Sequence, residues 1–327
     1  MLGYIARRLV MMAVTLAIIS MMTFAIIQLP PGDFLTAYIE RMEEAGLTRD
    51  EATIESLKAR YGLNQPVYVQ YLKWIGGVLQ GDFGQSFLMN RPVGELIWER
   101  LGLTVAVSFF AMIFQWVVAF PVGIYSAVRQ YSLGDYIFTF FGFIGVAIPG
   151  FMLALIIMWV AYSAFNANVG GLFSIEYATA PWSWGKFVDM LKHIWVPMIV
   201  LGVAGTAGLI RIMRANLLDE LRRPYVVTAR AKGLSESRLI LKYPVRVALN
   251  PFVSTVGWSL AALVSGETVV SIVLGLPTTG PLLYQALLMQ DMFLAGSFIL
   301  MVSTLTVIGT LISDILLAWL DPRIRYV

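Results

Sequence analysis

Six long runs of apolar residues limit what this sequence can fold into. Each is long enough to supply the roughly 20 helical residues that cross a hydrocarbon core about 30 Å thick. With 58% hydrophobic and 13% charged residues, the chain has too few polar side chains to cover a soluble protein of 327 residues. We therefore predict an all-α integral membrane protein with about six transmembrane helices. The predicted spans are 9–29, 101–128, 136–165, 194–217, 249–274 and 292–320.

The distribution of basic residues predicts the orientation of these spans. If the N-terminus is inside, fourteen of the twenty-three lysines and arginines lie in inner segments. Seven of the other nine lie in one outer segment, 30–100, which also carries ten acidic residues. Long translocated segments follow the positive-inside rule only weakly. Both termini are therefore predicted to be cytoplasmic.

The chain divides by composition into three parts: 1–29 with the first span, an extracytoplasmic insert at 30–100, and a five-helix core at 101–327. In the insert, Thr48 and Glu51 form a capping box for a helix that can end at Gly62. Pro66 suits the first turn of a second, amphipathic helix, which we expect to rest on the spans or the lipid surface. Its predicted apolar face contains Val67, Tyr71, Ile75 and Leu79, with Tyr68 and Leu72 beside them.

Several kinds of chemistry are excluded or disfavoured by residue type. The absence of cysteine excludes disulfides, thiolate metal sites and cysteine nucleophiles. The single histidine, His193, is expected to be an ordinary interfacial residue. No lysine precedes Ser or Thr, so the phosphate-binding loop of an ATPase is absent. We predict no bound cofactor or metal, no nucleic-acid partner and no enzymatic activity.

Two polar residues inside the predicted spans are candidates for the transport pathway or a gate. Glu267 lies in the fifth predicted span, where an ionisable group is costly unless it is paired or faces water. The alternative is a structural hydrogen bond to a neighbouring helix. Gln115, in the second span, has the same two interpretations.

A basic stretch between the fourth and fifth spans, TARAKGLSESRLILKYPVRVALNP from Thr228 to Pro251, has a defined shape. Pro224 can begin a short helix and Gly233 can end it in the left-handed conformation. Ser235 can then cap a new helix that continues into the fifth span. Such a hairpin suits either an anionic lipid surface or a groove on another protein, and composition does not decide between them.

The order of residues in this stretch resembles the cytoplasmic "EAA" loop of ABC importer permeases, in the first-permease branch of dipeptide, oligopeptide and nickel importers. Other blocks agree over almost the whole chain: YIARRL, LPPGD, RYGLNQPVYVQYLKWIGGVLQGDFGQSF, GETVVSIVLGLP and LLYQALLMQD. The general loop has Glu-Ala-Ala and a closing Leu-Pro, whereas this chain has 227–229 as Val-Thr-Ala and Arg246 in place of the proline. Pro281 replaces a basic residue that relatives often carry, so no substrate contact is carried over from that loop.

The resemblance implies that the loop 219–248 contains a coupling helix that docks in a cleft of a cytoplasmic ATPase. It also implies a homologous second permease, two ATPase subunits that use ATP and Mg²⁺, an extracytoplasmic substrate-binding protein, and a bacterial or archaeal inner membrane. The implied coupling residues are Tyr225, Thr228, Ala229, Arg230, Ala231, Lys232, Gly233, Leu234, Ser235 and Glu236.

The outer turn is a candidate docking point for the binding protein, through Gly81, Asp82, Phe83, Gly84 and Gln85. Peptide is the default substrate, and relatives also import oligosaccharides, opines or nickel chelates. The rival function, a self-contained secondary transporter or channel, should show inverted repeats and several intramembrane charges, and the sequence has neither.

Overall fold

The computed structural model describes residues 2–28, 65–86, 89–253, 256, 264 and 268–320. These residues are helical throughout, apart from connecting turns and one isolated β-bridge between Gln85 and Pro92. The helices are α1 (Leu2–Gln28), α2 (Val67–Leu79), α3 (Val93–Val128), α4 (Leu133–Ala147), α5 (Gly150–Phe165), α6 (Ile175–Ala178), α7 (Trp184–His193), α8 (Trp195–Leu221), α9 (Pro224–Ala231), α10 (Glu236–Lys242), α11 (Pro244–Ala248), α12 (Thr268–Leu274), α13 (Thr279–Leu288) and α14 (Met292–Leu320).

Four of the described helices are long and apolar enough to cross a membrane: α1, α3, α8 and α14. The number rises to six if each of two bent helix pairs, α4 with α5 and α12 with α13, is one span. The all-α class and the approximate number of spans are therefore confirmed for the described part of the chain. Much of the middle of the fifth predicted span, together with Glu267, Thr48, Glu51 and Gly62, lies outside the described residues.

The third predicted span, 136–165, is wrong as a single helix. It consists of α4 and α5, which meet at an angle of 101°. Pro149 cannot donate a backbone hydrogen bond, and its ring disfavours the α conformation in the residue before it. Ile148 accordingly has φ −87° and ψ 119°, outside the helical region. Pro149 therefore breaks the predicted span, whereas Pro121 lies inside the uninterrupted α3.

The chain forms two compact units that do not follow chain order. The first comprises 1–103 and 278–307, and the second comprises 104–277 and 308–327. In the first unit α3, α13 and α14 share an apolar core. Its buried members are Val93, Leu96, Ile97, Leu101, Leu282, Ala286, Leu294, Ala295 and Phe298.

The amphipathic helix predicted after Pro66 is confirmed as α2, within the first unit. Its buried side is rotated from the predicted one, because Trp74 is its most buried residue and Leu72 and Leu79 are exposed. Trp74 stacks on Phe24 of α1, with ring centroids 5.7 Å apart, and its indole N–H donates to Ser297 Oγ at 3.3 Å. The large indole ring buries more apolar surface than an aliphatic side chain, and its N–H has a hydrogen-bond partner. The spacing of apolar residues along the sequence does not reveal either property.

In the second unit α8 is the central helix, and it contacts α4, α5, α11 and α12. Its buried positions continue along its length from Val196 to Leu217. The short helices α9, α10 and α11 follow directly after it. They carry the stretch that the sequence predicts to be functional.

Candidate functional site

α9 and α10 form a hairpin around a glycine turn. Gly233 has φ +77°, its N–H donates to Arg230 O at 3.0 Å, and the Leu234 N–H donates to Ala229 O at 3.4 Å. These two bonds are the pattern of a Schellman motif, which satisfies the last carbonyls of a helix. A Cβ at Gly233 would meet nothing within 4 Å. The glycine is therefore required by the backbone conformation and not by crowding, and the predicted helix-glycine-helix shape is confirmed.

The second arm of the hairpin differs from the prediction. Ser235 occupies the N-cap position of α10 with an extended backbone, but its side chain makes no capping hydrogen bond. α10 ends at Lys242, Tyr243 has φ −116° and ψ −75°, and α11 begins at Pro244. The predicted continuous helix toward the fifth span is wrong, because Pro244 lacks an N–H and disfavours helical geometry in the residue before it.

The inner side of the hairpin is fastened to α8 by a cluster of apolar side chains. Val226 of α9 and Leu239 of α10 are fully buried, as are Met213 and Leu217 of α8. Complete burial of such side chains contributes roughly 1.5–3 kcal/mol each, so the two arms are firmly seated on α8. The cluster, which we call the hairpin cluster, contains Ala127, Met213, Leu217, Val226, Ala229, Leu239, Ile240, Val245, Ala248 and Phe252.

Polar contacts fix the outer side of the hairpin. The Arg230 guanidinium donates to both carboxylate oxygens of Glu236, at 2.5 and 3.1 Å, so one ion pair joins the two arms. The Tyr225 hydroxyl donates to Glu220 Oε2 at 2.5 Å and ties α9 to the end of α8. Partial burial, together with this hydrogen bond, raises the pKa of Tyr225 and favours the protonated phenol that donates to Glu220.

The ten predicted coupling residues divide by exposure. Ala229 is buried in the hairpin cluster, and Leu234 is half-buried against it. The remaining eight form the exposed tip and outer face of the hairpin: Tyr225, Thr228, Arg230, Ala231, Lys232, Gly233, Ser235 and Glu236.

The predicted docking residues 81–85 form a tight turn in the first unit. Gly81 and Gly84 have φ +84° and +81°. The Gly84 N–H donates to the Asp82 side chain at 2.9 Å, and the Val93 N–H donates to Gly84 O at 2.9 Å. Gly81, Asp82 and Gln85 are exposed, while Phe83 and Gly84 are half-buried.

A buried hydrogen bond that the sequence reasoning missed holds this turn. Ser86 Oγ donates to Asp291 Oδ2 at 2.6 Å, and both residues are fully buried. Asp291 Oδ1 accepts from the Leu294 N–H at 3.2 Å, which is the pattern of an N-cap for α14. An aspartate directly before a long apolar run is a helix-start signal, so this capping role was detectable. The pairing with a residue 205 positions away was not.

A second missed pair lies in the second unit. Asp135 Oδ2 accepts from Arg214 Nη2 at 3.0 Å and from the Tyr131 N–H at 3.0 Å. The side chain of Asp135 is 5% exposed and that of Arg214 is 29% exposed. Ser132 accepts from the Asp135 N–H, so Ser-Leu-Gly-Asp is a capping signal visible in the sequence. The ion pair joins the start of α4 to α8.

The two candidate pathway residues have different outcomes. Gln115 is buried, and its side-chain amide donates to Leu201 O at 3.4 Å, so it bridges α3 and α8. Its side chain also lies where a Cβ on Gly205 would sit. This contact matches the structural interpretation of Gln115. Glu267 is outside the described residues.

No group of three or more potential ligands for a metal ion occurs among the described residues. His193 Nδ1 lies 2.8 Å from Asp189 O and 3.7 Å from Asp189 Oδ1. It is therefore engaged with its own helix, α7.

Two family models account for nearly the whole chain. Residues 119–326 match the binding-protein-dependent transport system inner membrane component, and residues 1–108 match the N-terminal part of such membrane components. The chain belongs to this family. This ABC importer permease is a multi-pass membrane protein and the permease subunit of a binding-protein-dependent importer, so ATP hydrolysis resides in partner subunits.

Curated relatives align with this permease from end to end. An oligopeptide transport system permease protein, AppB of Bacillus subtilis, is 37% identical over 327 residues, covering 100% of both chains. A dipeptide permease, DppB of Alkalihalophilus pseudofirmus, is 32% identical and an oligopeptide permease, OppB of Haemophilus influenzae, is 34% identical, each covering 100% of both chains. These matches confirm the resemblance found in the sequence.

One solved structure supports the fold. An inward-facing structure of the MetNI methionine ABC transporter superposes with a TM-score of 0.53 at 16% identity. The match covers 69% of this chain and 96% of that one. The low identity limits this comparison to the fold.

Proposed function

We propose that the hairpin 224–242 is the coupling element of this permease, and that its exposed tip docks in a cleft of a cytoplasmic ATPase subunit. The observation that carries the proposal is the combination of a fixed glycine turn with an exposed tip. A compact knob on a rigid base suits a groove on another protein, whereas binding to anionic lipid needs only positive charge.

The hairpin cluster supplies a route from the tip to the membrane helices. Val226 and Leu239 pack in the same cluster as Met213 and Leu217 of α8. Because close-packed interiors transmit displacement, a push on α9 moves the end of α8. A loose loop would absorb the same movement without passing it on.

The break at Tyr243 changes the path of force. α10 does not continue as a rod toward the fifth span, so a push reaches residues beyond 249 through α11. Val245 and Ala248 of α11 lie in the hairpin cluster. We therefore propose α8, and not a continuous helix from Ser235, as the principal lever.

The orientation of this permease and its partner subunits are proposed from its charge distribution, from the exposure of its turns and from its relatives. The basic hairpin and both termini are proposed to be cytoplasmic, because most basic residues outside the long insert lie in these segments. The exposed turn 81–85 is proposed to contact an extracytoplasmic binding protein. A homologous second permease is proposed to complete the pathway, with two ATPase subunits beneath the pair. Glu267 remains a proposed pathway or gate residue, and the same proposal for Gln115 stands beside the structural role that its bond to Leu201 O supports.

Peptides are the proposed substrate, because the relatives named above are oligopeptide and dipeptide permeases. The purified importer, reconstituted with its own binding protein, should accumulate labelled peptides in vesicles. Uptake of an oligosaccharide, an opine or a nickel chelate, with no uptake of di- to hexapeptides, would replace this substrate assignment while leaving the permease assignment intact.

The coupling proposal is tested by cross-linking. Because the chain has no cysteine, Ala231→Cys creates a single thiol at the exposed hairpin tip. Labelled with a benzophenone maleimide, this thiol should cross-link to the ATPase subunit on irradiation, with a yield that changes with the nucleotide state. Lys192→Cys, at an exposed position in α7, is the matched control and should give no ATPase adduct. Equal cross-linking of both variants would refute the assignment of the hairpin as the docking element.

A further inference from the structure

A cavity of about 320 Å³ opens between α4 and α8 in the second unit, outside the hairpin and the turn described above. One end of the cavity is polar and the rest is apolar. The polar residues are Tyr131, Asp135, Tyr136, Thr139, Arg211 and Arg214. The apolar residues are Phe138, Gly142, Phe143, Val146, Ala207 and Ile210.

The polar end carries one positive charge that has no counter-ion among the residues that the structure describes. Asp135 and Arg214 neutralise each other through their ion pair of 3.0 Å. Arg211, one turn earlier on α8, is exposed and has no hydrogen-bond or ion-pair partner within the described ranges. An arginine in a long apolar helix is costly unless it meets a counter-charge or water. The cavity therefore presents an unneutralised guanidinium at its rim.

The apolar end continues into a second cavity of about 210 Å³ between α3, α4 and α8. The two cavities share four lining residues, which are Phe138, Gly142, Ala207 and Ile210. The second cavity reaches Val203, eight residues before Arg211 on α8, a distance of about 12 Å at 1.5 Å per residue. Gly142 and Gly145 of α4 also line this cavity, at the points where α4 lies close to Ala207 and Val203 of α8.

We propose that this groove binds one anionic phospholipid, with its phosphate on Arg211 and one acyl chain along the apolar trough toward Val203. The groove and a phospholipid have the same arrangement of polar and apolar parts. Its cationic, tyrosine-lined mouth suits the phosphate, and the apolar channel beyond the mouth is comparable in length to part of a membrane leaflet. A free phosphate ion would leave the trough empty. An apolar helix of a neighbouring subunit would fill the trough but leave Arg211 buried without a counter-charge.

The mouth lies on the C-terminal half of α8, which leads into the basic hairpin. With the orientation proposed above, this places the phosphate in the cytoplasmic leaflet, where anionic lipids are recognised by basic pockets between membrane helices. The lipid would then contact α4 and α8 together, on the helix that carries the hairpin.

The test is lipid retention by the full chain, purified in a mild detergent together with the subunits that accompany it. Native mass spectrometry should detect one retained phosphatidylglycerol. Added phosphatidylglycerol, but not phosphatidylcholine or inorganic phosphate, should raise the thermal midpoint. Arg211→Gln should weaken phosphatidylglycerol binding about tenfold or more, since it removes a charge-assisted hydrogen bond. Arg211→Lys should retain most of the binding.

Two further variants separate head-group binding from chain binding. Ile210→Trp, which fills the trough where the cavities join, should reduce retention although Arg211 is intact. Lys192→Gln removes one exposed positive charge elsewhere and should have no effect.

Three results would overturn the proposal. The first is equal thermal stabilisation by phosphatidylglycerol and phosphatidylcholine, and the second is the same stabilisation by inorganic phosphate alone. The third is that Ile210→Trp loses a neighbouring permease subunit while its lipid retention is unchanged. The last result would assign the trough to a subunit interface.

Discussion

Arg230 and Glu236 face each other across the turn at Gly233 and form a bidentate ion pair, with Nε to Oε1 at 2.5 Å and Nη2 to Oε2 at 3.1 Å. Both side chains are about half exposed, at 52% and 56%. Exposed pairs contribute little to overall stability, so the relevant effect of this one is the local geometry of the tip. It holds the first turn of α10 against the last turn of α9.

We predict that reversing one charge of this pair impairs coupling without unfolding the protein. Arg230→Glu should reduce substrate-stimulated ATPase activity of the assembled importer several-fold, because two carboxylates would then repel each other across the turn. The exchange Arg230→Glu with Glu236→Arg should restore most of the activity. Failure of the exchange to restore activity, with the subunits still assembled, would assign Arg230 to direct contact with the ATPase instead.

The pH dependence of this pair has a definite sign. The hydrogen bond from Arg230 lowers the pKa of Glu236. A carboxyl group with a lowered pKa contributes its stabilisation above its ordinary pKa and loses it as the pH falls through the lowered value. We therefore expect the thermal midpoint difference between the parent and Glu236→Gln to be constant around neutral pH and to vanish only under strongly acidic conditions. High salt should reduce the same difference.

The two glycines Gly233 and Gly76 provide a matched test of the turn. A Cβ meets nothing within 4 Å at either site, but only Gly233 has a positive φ. Gly233→Ala should destabilise the hairpin by about 1 kcal/mol because alanine is strained in the left-handed region. Gly76→Ala, at the start of the last turn of α2, should stabilise by about 0.5–1 kcal/mol because alanine favours the helix. Thermal unfolding and uptake measurements check both variants. A third variant, Gly233→Val, should lose transport while its membrane helices remain folded.

Local chemistry explains what the sequence predicts correctly. A glycine between a proline-started helix and a serine predicts the turn at Gly233, since the bonds that close it join neighbours in sequence. The break at Tyr243 depends on equally local chemistry. It was predictable from Pro244, which disfavours helical geometry in the residue before it. The same effect of Pro149 separates α4 from α5.

Contacts between distant residues explain what the sequence does not predict. Ser86 pairs with Asp291 and Asp135 pairs with Arg214, and nothing in the spacing of either pair indicates its partner. The rotation of α2 follows from the same cause, because Trp74 was buried by a partner on another helix. Periodicity finds an apolar face, but tertiary packing selects which part of it is covered.

The ion pair of Asp135 and Arg214 predicts a stability effect in the second unit. Asp135→Asn removes the charge but keeps an oxygen that can accept from the Tyr131 N–H. We expect a loss of about 2–4 kcal/mol, somewhat less than for a fully buried pair because the Arg214 side chain is 29% exposed. The matched control is Asp82→Asn in the exposed turn, which should change stability by less than about 0.5 kcal/mol. Equal thermal midpoints for the two variants would show that the pair is energetically neutral.

The hydrogen bond between Ser86 and Asp291 supports the outer turn from below. We predict that removing it changes the conformation of the exposed residues of that turn. Ser86→Ala removes a hydrogen bond to a fully buried carboxylate and the acceptor for the Met89 N–H, so we expect a loss of about 1–3 kcal/mol. Loosening the turn 81–85 should also weaken stimulation of ATPase activity by the binding protein while basal activity persists. Ser163→Ala, at an exposed serine that bonds only within its own helix, is the control and should leave both quantities unchanged. If stimulation survives in Ser86→Ala despite the lowered thermal midpoint, the turn is structural and the binding protein docks elsewhere.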